Sequence, residues 1–182
     1  MIIMKYLKIP LDRVAVLIGK KGSIKKFIES KTGVELDINS KEGDVKIIDN
    51  DKVDPLSLLK VENIIKAIGR GFSPENAFML FNEEMDFFVF NVQDYVGKRS
   101  SHIKRLKGRV IGKEGKTKRV IEELTDSKIV VYRTNISIIS SDIHMNIVKK
   151  AVDMILTGTK QPSVYKFLEK QMKELKKQDY GF

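Results

Sequence analysis

The chain has 182 residues, 42% of them hydrophobic and 32% charged, with a formal net charge of +10 and no cysteine. Disulfides, thiolate metal sites and cysteine nucleophiles are therefore excluded, and the charge points to a polyanionic partner such as nucleic acid or an acidic membrane face. The length suits one large domain or two of about 90 residues. No apolar run is long enough to span a bilayer, and the opening Met1–Leu7 is too short for a signal peptide, so the expectation is a cytoplasmic protein with no membrane partner. Richness in Ile, Lys and Glu without Cys or Trp hints at a thermophilic source.

In chain order, Lys5–Ile9 reads as a strand and Val14–Ile18 as a short helix. The pair Gly19 and Gly22 follows, then Ile24, Phe27 and Ile28 at helical spacing, up to a breaker at Thr32-Gly33. Val34, Leu36 and Ile38 alternate as a half-buried strand does, and Val45–Ile48 is a second one. A longer amphipathic helix carries Leu56, Leu59, Ile64, Ile65 and Ile68 on its apolar side. The stretch Phe72–Met85 is expected to be a link, with Glu83, Glu84 and Asp86 as surface charges.

The same order then returns. Phe87–Val92 reads as a strand, and Ile103, Leu106 and Val110 mark a helix. After Gly112 and Gly115, Val120, Ile121 and Leu124 mark the next helix, ending at Thr125-Asp126. Strands through Ile129 and Val131 and through Ile136–Ile139 lead to a helix with Ile143, Ile147, Val148, Val152 and Ile155. Pro162 starts a final helix, about 163–177, with Val164, Phe167, Leu168 and Leu175 on one face, expected to pack on its own domain. Phe78, Phe81, Phe87, Phe88 and Phe90 are expected to form an interdomain core rather than a base-stacking platform.

The repetition extends to residue identities. Ile18-Gly19-Lys20-Lys21-Gly22 reappears as Ile111-Gly112-Lys113-Glu114-Gly115, and Lys25, Ile28, Glu29 and Thr32 recur at the same 93-residue offset as Lys118, Ile121, Glu122 and Thr125. Two units of one kind follow, with residues 1–80 as the first and 81–182 as the second. In each, a Gly-x-x-Gly loop joins two helices, so the backbone can turn sharply and approach a ligand without an intervening side chain. The free N–H groups of the second helix then form an anion site suited to a phosphate.

Both units resemble K-homology (KH) domains. The resemblance implies an α+β fold of two tandem type I KH domains, each β-α-α-β-β-α with a three-stranded sheet packed against helices, plus the C-terminal helix. It also implies a clamp on about four unpaired nucleotides, in which the loop grips the backbone and an apolar groove takes the bases. Carried over, the clamp is Gly19, Lys20, Lys21 and Gly22 in the first unit and Gly112, Lys113, Glu114 and Gly115 in the second. The groove floor is Ile18, Leu36 and Ile38 in the first, and Ile111, Ile129 and Val131 in the second.

Charge ranks the two units. Lys98, Arg99, Lys104, Arg105, Lys107, Arg109, Lys113, Lys116, Lys118 and Arg119 face a single acid, Glu114, so this segment holds +9 of the net +10. Because the run brackets the second loop, that unit is expected to be the main RNA clamp, with Arg109, Lys116, Lys118 and Arg119 assisting. The first unit has Arg13, Lys20, Lys21, Lys25 and Lys26 and is the weaker candidate, or a platform for protein docking. Glu114 is the departure, placing a carboxylate where a phosphate approaches.

Within the KH family, the tandem arrangement without a catalytic domain looks like the archaeal and eukaryotic ribosome-assembly group, the partners of the Nob endonuclease, with Krr-type relatives. The resemblance implies binding near the 3′ end of small-subunit rRNA, with Nob or the alpha subunit of translation initiation factor two as protein partner. The alternative is a KH adaptor in RNA turnover, of the exosome type, or in translation. No enzyme activity and no cofactor are expected. Residues Val110–Thr117 approach a Walker A loop, but Val110 replaces its first glycine and a basic helix replaces the buried strand before it. His102 and His144 lack partners at metal spacing; His102 is a candidate RNA contact and His144 a structural residue.

Overall fold

The computed structural model describes residues 4–49 and 53–179. The chain divides into two compact units, Met1–Glu83 and Glu84–Phe182. The first contains β1 (Met4–Lys8), α1 (Leu11–Ile18), α2 (Ser23–Thr32), β2 (Glu35–Asn39), β3 (Asp44–Ile48), α3 (Pro55–Gly69) and a short α4 (Pro74–Ala77). The second contains β4 (Met85–Asn91), a short α5 (Gln93–Val96), α6 (Ser100–Ile111), α7 (Lys116–Thr125), β5 (Lys128–Tyr132), β6 (Asn135–Ser141), α8 (Asp142–Leu156) and α9 (Gln161–Asp179). Each sheet is three-stranded and antiparallel, in the orders β1-β3-β2 and β4-β6-β5. This is the α+β tandem arrangement expected from the repeat.

Register decides what each sheet buries. In the first unit Leu36 pairs with Ile47 and Leu7 with Val45; Leu36, Val45 and Ile47 are buried. In the second, Phe88 and Ile129 both stand opposite Ile138, and Phe90 and Val131 opposite Ile136, so one face is a continuous apolar layer. Against it pack Ile103, Leu106 and Val110 of α6, Ile121 of α7, and Met145, Val148, Val152 and Ile155 of α8. Val164 and Leu168 dock α9 onto the same core with no residual exposure, each contributing about 2 kcal/mol of burial.

Local chemistry sets the boundaries. Asp54 caps α3, its carboxylate accepting from the Leu56 and Ser57 amides at 2.9 and 3.1 Å, with Pro55 at the first helical position. Ser141 caps α8 through the His144 amide. Helices α3 and α8 end in the same turn: Gly71 and Gly158 take φ of 105° and 108°, and the Phe72 and Thr159 amides reach back to Ala67 and Met154 at 3.1 and 2.8 Å. Lys5 on β1 and Lys66 on α3 both bond Glu62, and these cations hold its carboxyl below the usual range. The Tyr95 hydroxyl donates to Asp153 at 2.8 Å; burial, then that carboxylate, pushes its phenol up to about 12.

Several expectations change. Phe72–Met85 is not an open link: Ser73 caps α4, a 3-10 turn follows at Phe78–Phe81, Ala77 and Leu80 are buried, and Met85 opens β4. Leu56 and Leu59 are 42% and 48% exposed, because the stripe that is buried runs through Leu58, Val61, Ile64, Ile65 and Ile68. Ile143, in the first turn of α8, is 66% exposed. Phe78 and Phe81 stack with Phe27, while Phe88 and Phe90 pack with Tyr95 and the second core.

Candidate nucleic-acid interface

The two glycine loops have the same backbone. Gly19 (φ 73°, ψ 172°) and Gly112 (φ 76°, ψ 174°) end α1 and α6, their amides reaching the Ala15 and Gly108 carbonyls at 2.9 and 2.8 Å. Lys21 and Glu114 both sit at φ 52°, ψ 30°, and Gly22 and Gly115 follow at φ 76° and 75°. The two glycines of each loop have different reasons to be glycine. A Cβ on Gly19 would lie 2.5 Å from Ile24 Cγ1, and one on Gly112 would lie 2.6 Å from the Thr117 nitrogen. Around Gly115 there is nothing within 4 Å, so only its positive φ selects it. Lys21 and Glu114 hold the left-handed conformation without being glycine, at a cost of roughly 1 kcal/mol each.

The helix starting at the second loop is charged against its own dipole. An α-helix N-terminus favours anions, yet α7 opens with Lys116, Lys118 and Arg119 and no acid in its first turn. Gly115, as its cap, has no side chain to accept from the first amides. The uncapped N–H groups therefore lie in a turn that also carries the exposed Lys116 and Arg119, next to the exposed Lys113 of the loop. An anion there satisfies both. At α2 the cap is likewise glycine, but Lys25 and Lys26 are the first-turn cations.

The other expected site residues divide by exposure and partner. Lys20, Lys21, Lys113, Glu114, Lys116 and Arg119 are exposed. Arg119 Nη2 donates to the Glu114 carbonyl at 3.2 Å, bracing the loop tip. Lys118 pairs with Glu122 at 3.1 Å, and Glu122 Oε1 accepts the Ile129 amide at 2.7 Å. The first unit repeats this pin: Lys25 pairs with Glu29 at 3.8 Å, and Glu29 Oε1 accepts the Leu36 amide at 2.8 Å.

Arg109 does not face outward with the other cations. It is half-buried, and its Nη2 donates to the Thr159 carbonyl at 2.7 Å. Of the groove residues, Ile18, Ile38, Ile111 and Val131 keep part of their surface. Leu36 and Ile129 are 1% and 2% exposed, because the strand face they occupy is closed over by the helices, and they belong to the core.

The glutamate pins were hidden from pattern reading because a Glu on a Lys/Glu helix looks like a solvated charge; the repeated offset was the available signal. Arg133 was also missed. It sits at the β5–β6 turn with φ 50°, its guanidinium 5.3 Å from the Tyr132 ring centre, where the first unit's hairpin has Gly43 at φ 78°. His144 Nδ1 lies 2.8 Å from the Thr125 carbonyl and so carries the proton, a structural bond between α7 and α8. Among the described residues no group of His, Cys, Asp and Glu could hold a metal ion, and no helix is long and apolar enough to cross a membrane. Val110 is buried within α6, so the near-match to a Walker A loop lies between two helices and not after a strand.

Comparison with known proteins matches residues 86–173 to a model of the eukaryotic-type KH domain (KH-domain type I) of PNO1, its second KH unit, and residues 4–53 to the KH domain. The KH domain-containing protein MJ0443 of Methanocaldococcus jannaschii is 47% identical over 172 residues, covering 94% of this chain and 75% of that protein. The pre-rRNA-processing protein PNO1 of Debaryomyces hansenii is 30% identical over 136 residues, 74% of this chain but 53% of that protein, so the chain spans about half the length of such relatives. A chain in the crystal structure of an a/eIF2alpha–aDim2p–rRNA complex from Pyrococcus horikoshii is 40% identical, with TM-score 0.88, covering 95% of this chain and 96% of that one.

Proposed function

Since this chain belongs to the KH-domain family, as a tandem of two type I units, we propose that it is a single-stranded RNA clamp acting on the 3′ region of small-subunit rRNA during ribosome biogenesis. The observation that carries this reading is the start of α7, where the exposed Lys116 and Arg119 and uncapped amides follow a glycine loop with no acid in that turn. A phosphate of an RNA strand fits that position by charge and by hydrogen-bond geometry. The names of the relatives, a pre-rRNA-processing protein and an rRNA complex, supply the class of RNA. The same complex supports the alpha subunit of initiation factor two as protein partner.

In this reading the chain works by binding, with no catalytic step and no cofactor, in the cytoplasm. The second unit grips the strand through Gly112, Lys113, Gly115, Lys116 and Arg119, with Ile111 and Val131 as apolar contacts for bases. Glu114 contributes its left-handed backbone and the carbonyl that Arg119 holds. The first unit, with a less cationic helix start, contributes less. An Asp pair placed in each loop separates the two: Lys113→Asp with Glu114→Asp, a charge change of −2, should abolish most binding to a single-stranded rRNA 3′ fragment, while Lys20→Asp with Lys21→Asp, a change of −4, should weaken it less. Equal losses would refute the ranking, and no loss from the second pair would refute the clamp.

A further inference from the structure

We propose that the C-terminal helix α9 is a working part of the second RNA loop, which it holds in its binding geometry through two positioning residues, Tyr165 and Arg109. The proposal rests on the clamp reading for its consequence on RNA, and on geometry alone for the brace itself.

The loop has two shoulders, and each is fastened to the same neighbour. Arg109 lies three residues before Gly112, on the last turn of α6, and bonds the Thr159 carbonyl in the turn that leads from α8 into α9. On the other shoulder, Tyr165 of α9 donates its hydroxyl to Thr117 Oγ1 at 3.3 Å. Thr117 is buried, the second residue of α7, and its side chain and amide close over Gly112 at the very place a Cβ would occupy. Gly112 is thus held between Arg109 behind and Thr117 ahead, and both lead to the root of α9. Val164 and Leu168, fully buried on either side of Tyr165, keep that root in place.

The first unit lacks this device. Ile24 stands where the second unit has Thr117, and Val16 where it has Arg109, so neither shoulder offers the same hydrogen bond. Its arginine, Arg13, acts a turn earlier on α1, bonding the Ile68 and Phe72 carbonyls at the end of α3. That ties two helices together but leaves the loop root to apolar contact with Ile24. The second loop has the greater need of a brace: α7 opens with three cations, Lys116, Lys118 and Arg119, against Lys25 and Lys26 at the start of α2, and the two loop tips are otherwise alike in backbone. A loop already fixed in its bound shape loses less conformational freedom on binding, and so binds more tightly.

The test uses the whole chain with Tyr165→Phe and Arg109→Met, each checked by circular dichroism to be folded at the working temperature. In RNA-free protein, amide exchange is followed at Gly112, whose N–H bonds the Gly108 carbonyl in the last turn of α6, and at Gly115, whose N–H bonds the Gly112 carbonyl across the loop. Affinity for a labelled single-stranded rRNA 3′ fragment is measured over a range of salt. Losing one hydrogen bond of ordinary net strength should speed exchange at both glycines and weaken RNA binding about fivefold for Tyr165→Phe, and about tenfold for Arg109→Met, whose bond is charge-assisted. The dependence of log affinity on log salt should keep its slope in both. Unchanged loop exchange in Tyr165→Phe would overturn the brace whatever the RNA does. Faster exchange with unchanged affinity would overturn its role in binding. A slope reduced by about 0.7 in Arg109→Met would make Arg109 a phosphate contact instead. If wild type binds no RNA, the clamp reading fails, and the exchange measurement still decides whether α9 holds the loop.

Discussion

Gly112 and Thr117 are packed so tightly that a Cβ on the glycine would lie 2.6 Å from the Thr117 nitrogen. Three residues on, Gly115 has the same sign of φ and open space around it. The two glycines should therefore respond differently to substitution. Gly112→Ala adds a backbone collision to left-handed strain and should cost about 3 kcal/mol in urea unfolding of the second unit. Gly115→Asn places a residue that tolerates the left-handed region where nothing obstructs it, and should cost less than about 1 kcal/mol. Equal destabilisation by the two would contradict the geometry.

Glu122 and Glu29 each join the helix after the loop to the strand that follows. Glu122→Ala strands the Ile129 amide and should destabilise the second unit by about 2 kcal/mol. Glu122→Gln keeps a carbonyl acceptor and loses mainly the half-exposed ion pair with Lys118, so about 0.5 kcal/mol is expected. Chemical denaturation of the two variants side by side reads the difference. An equal loss from Gln and from Ala would show that the ion pair, not the strand amide, is what matters.

Stability should fall at both ends of the pH range for identifiable reasons. The folded pKa of Tyr95 is raised, from 10.0 to about 12, so the folded state favours the neutral phenol. That contribution is fully present below pH 10 and is lost as pH rises through about 12. Tyrosinate absorbance should show one phenol titrating late, and Tyr95→Phe should remove it together with the corresponding part of the alkaline unfolding curve. Glu62 has the opposite sign. Its folded pKa is lowered by Lys5 and Lys66, so its contribution is present above 4.5 and is lost as pH falls through the lowered value. Glu62→Gln should flatten the acid limb of the stability curve; a curve of unchanged steepness would exclude this carboxylate as a cause.

The apolar stripe of α3 offers a further check. Ile65→Ala removes a fully buried side chain and should cost about 3 kcal/mol, whereas Leu59→Ala, on the exposed side, should change stability by less than about 0.5 kcal/mol. Calorimetric unfolding of the two variants distinguishes them, and comparable losses would mean that Leu59 is buried.

Element order and the two loops were legible in the sequence because they rest on short-range signals. Glycine pairs, helical or alternating apolar spacing, and identities at a 93-residue offset all survive without knowledge of tertiary contacts. What failed was the assignment of faces. Leu56 and Leu59 share a helix with more apolar residues than one stripe can bury, and spacing alone does not choose between them and Leu58 and Val61. Phe72–Met85 lacks periodicity because a capped single turn and a 3-10 turn are too short to show one. Arg109 looked like one more cation in a basic run. Its role depends on a carbonyl 50 residues away, at Thr159, and no local pattern carries that information. Tyr165 and Thr117 were separated by 48 residues for the same reason.

The central claim, that the start of α7 and its loop grip a single RNA strand, is tested most directly by fluorescence anisotropy. A short single-stranded RNA matching the 3′ end of small-subunit rRNA is titrated at several salt concentrations, beside a scrambled sequence and the Lys113→Asp, Glu114→Asp variant. Preferential binding of the rRNA sequence, lost in the variant, with log affinity falling by about 0.7 per phosphate contacted for each decade of salt, is the predicted result. Equal binding of both RNAs, unaffected by the loop variant, would contradict it and leave a basic surface without a clamp.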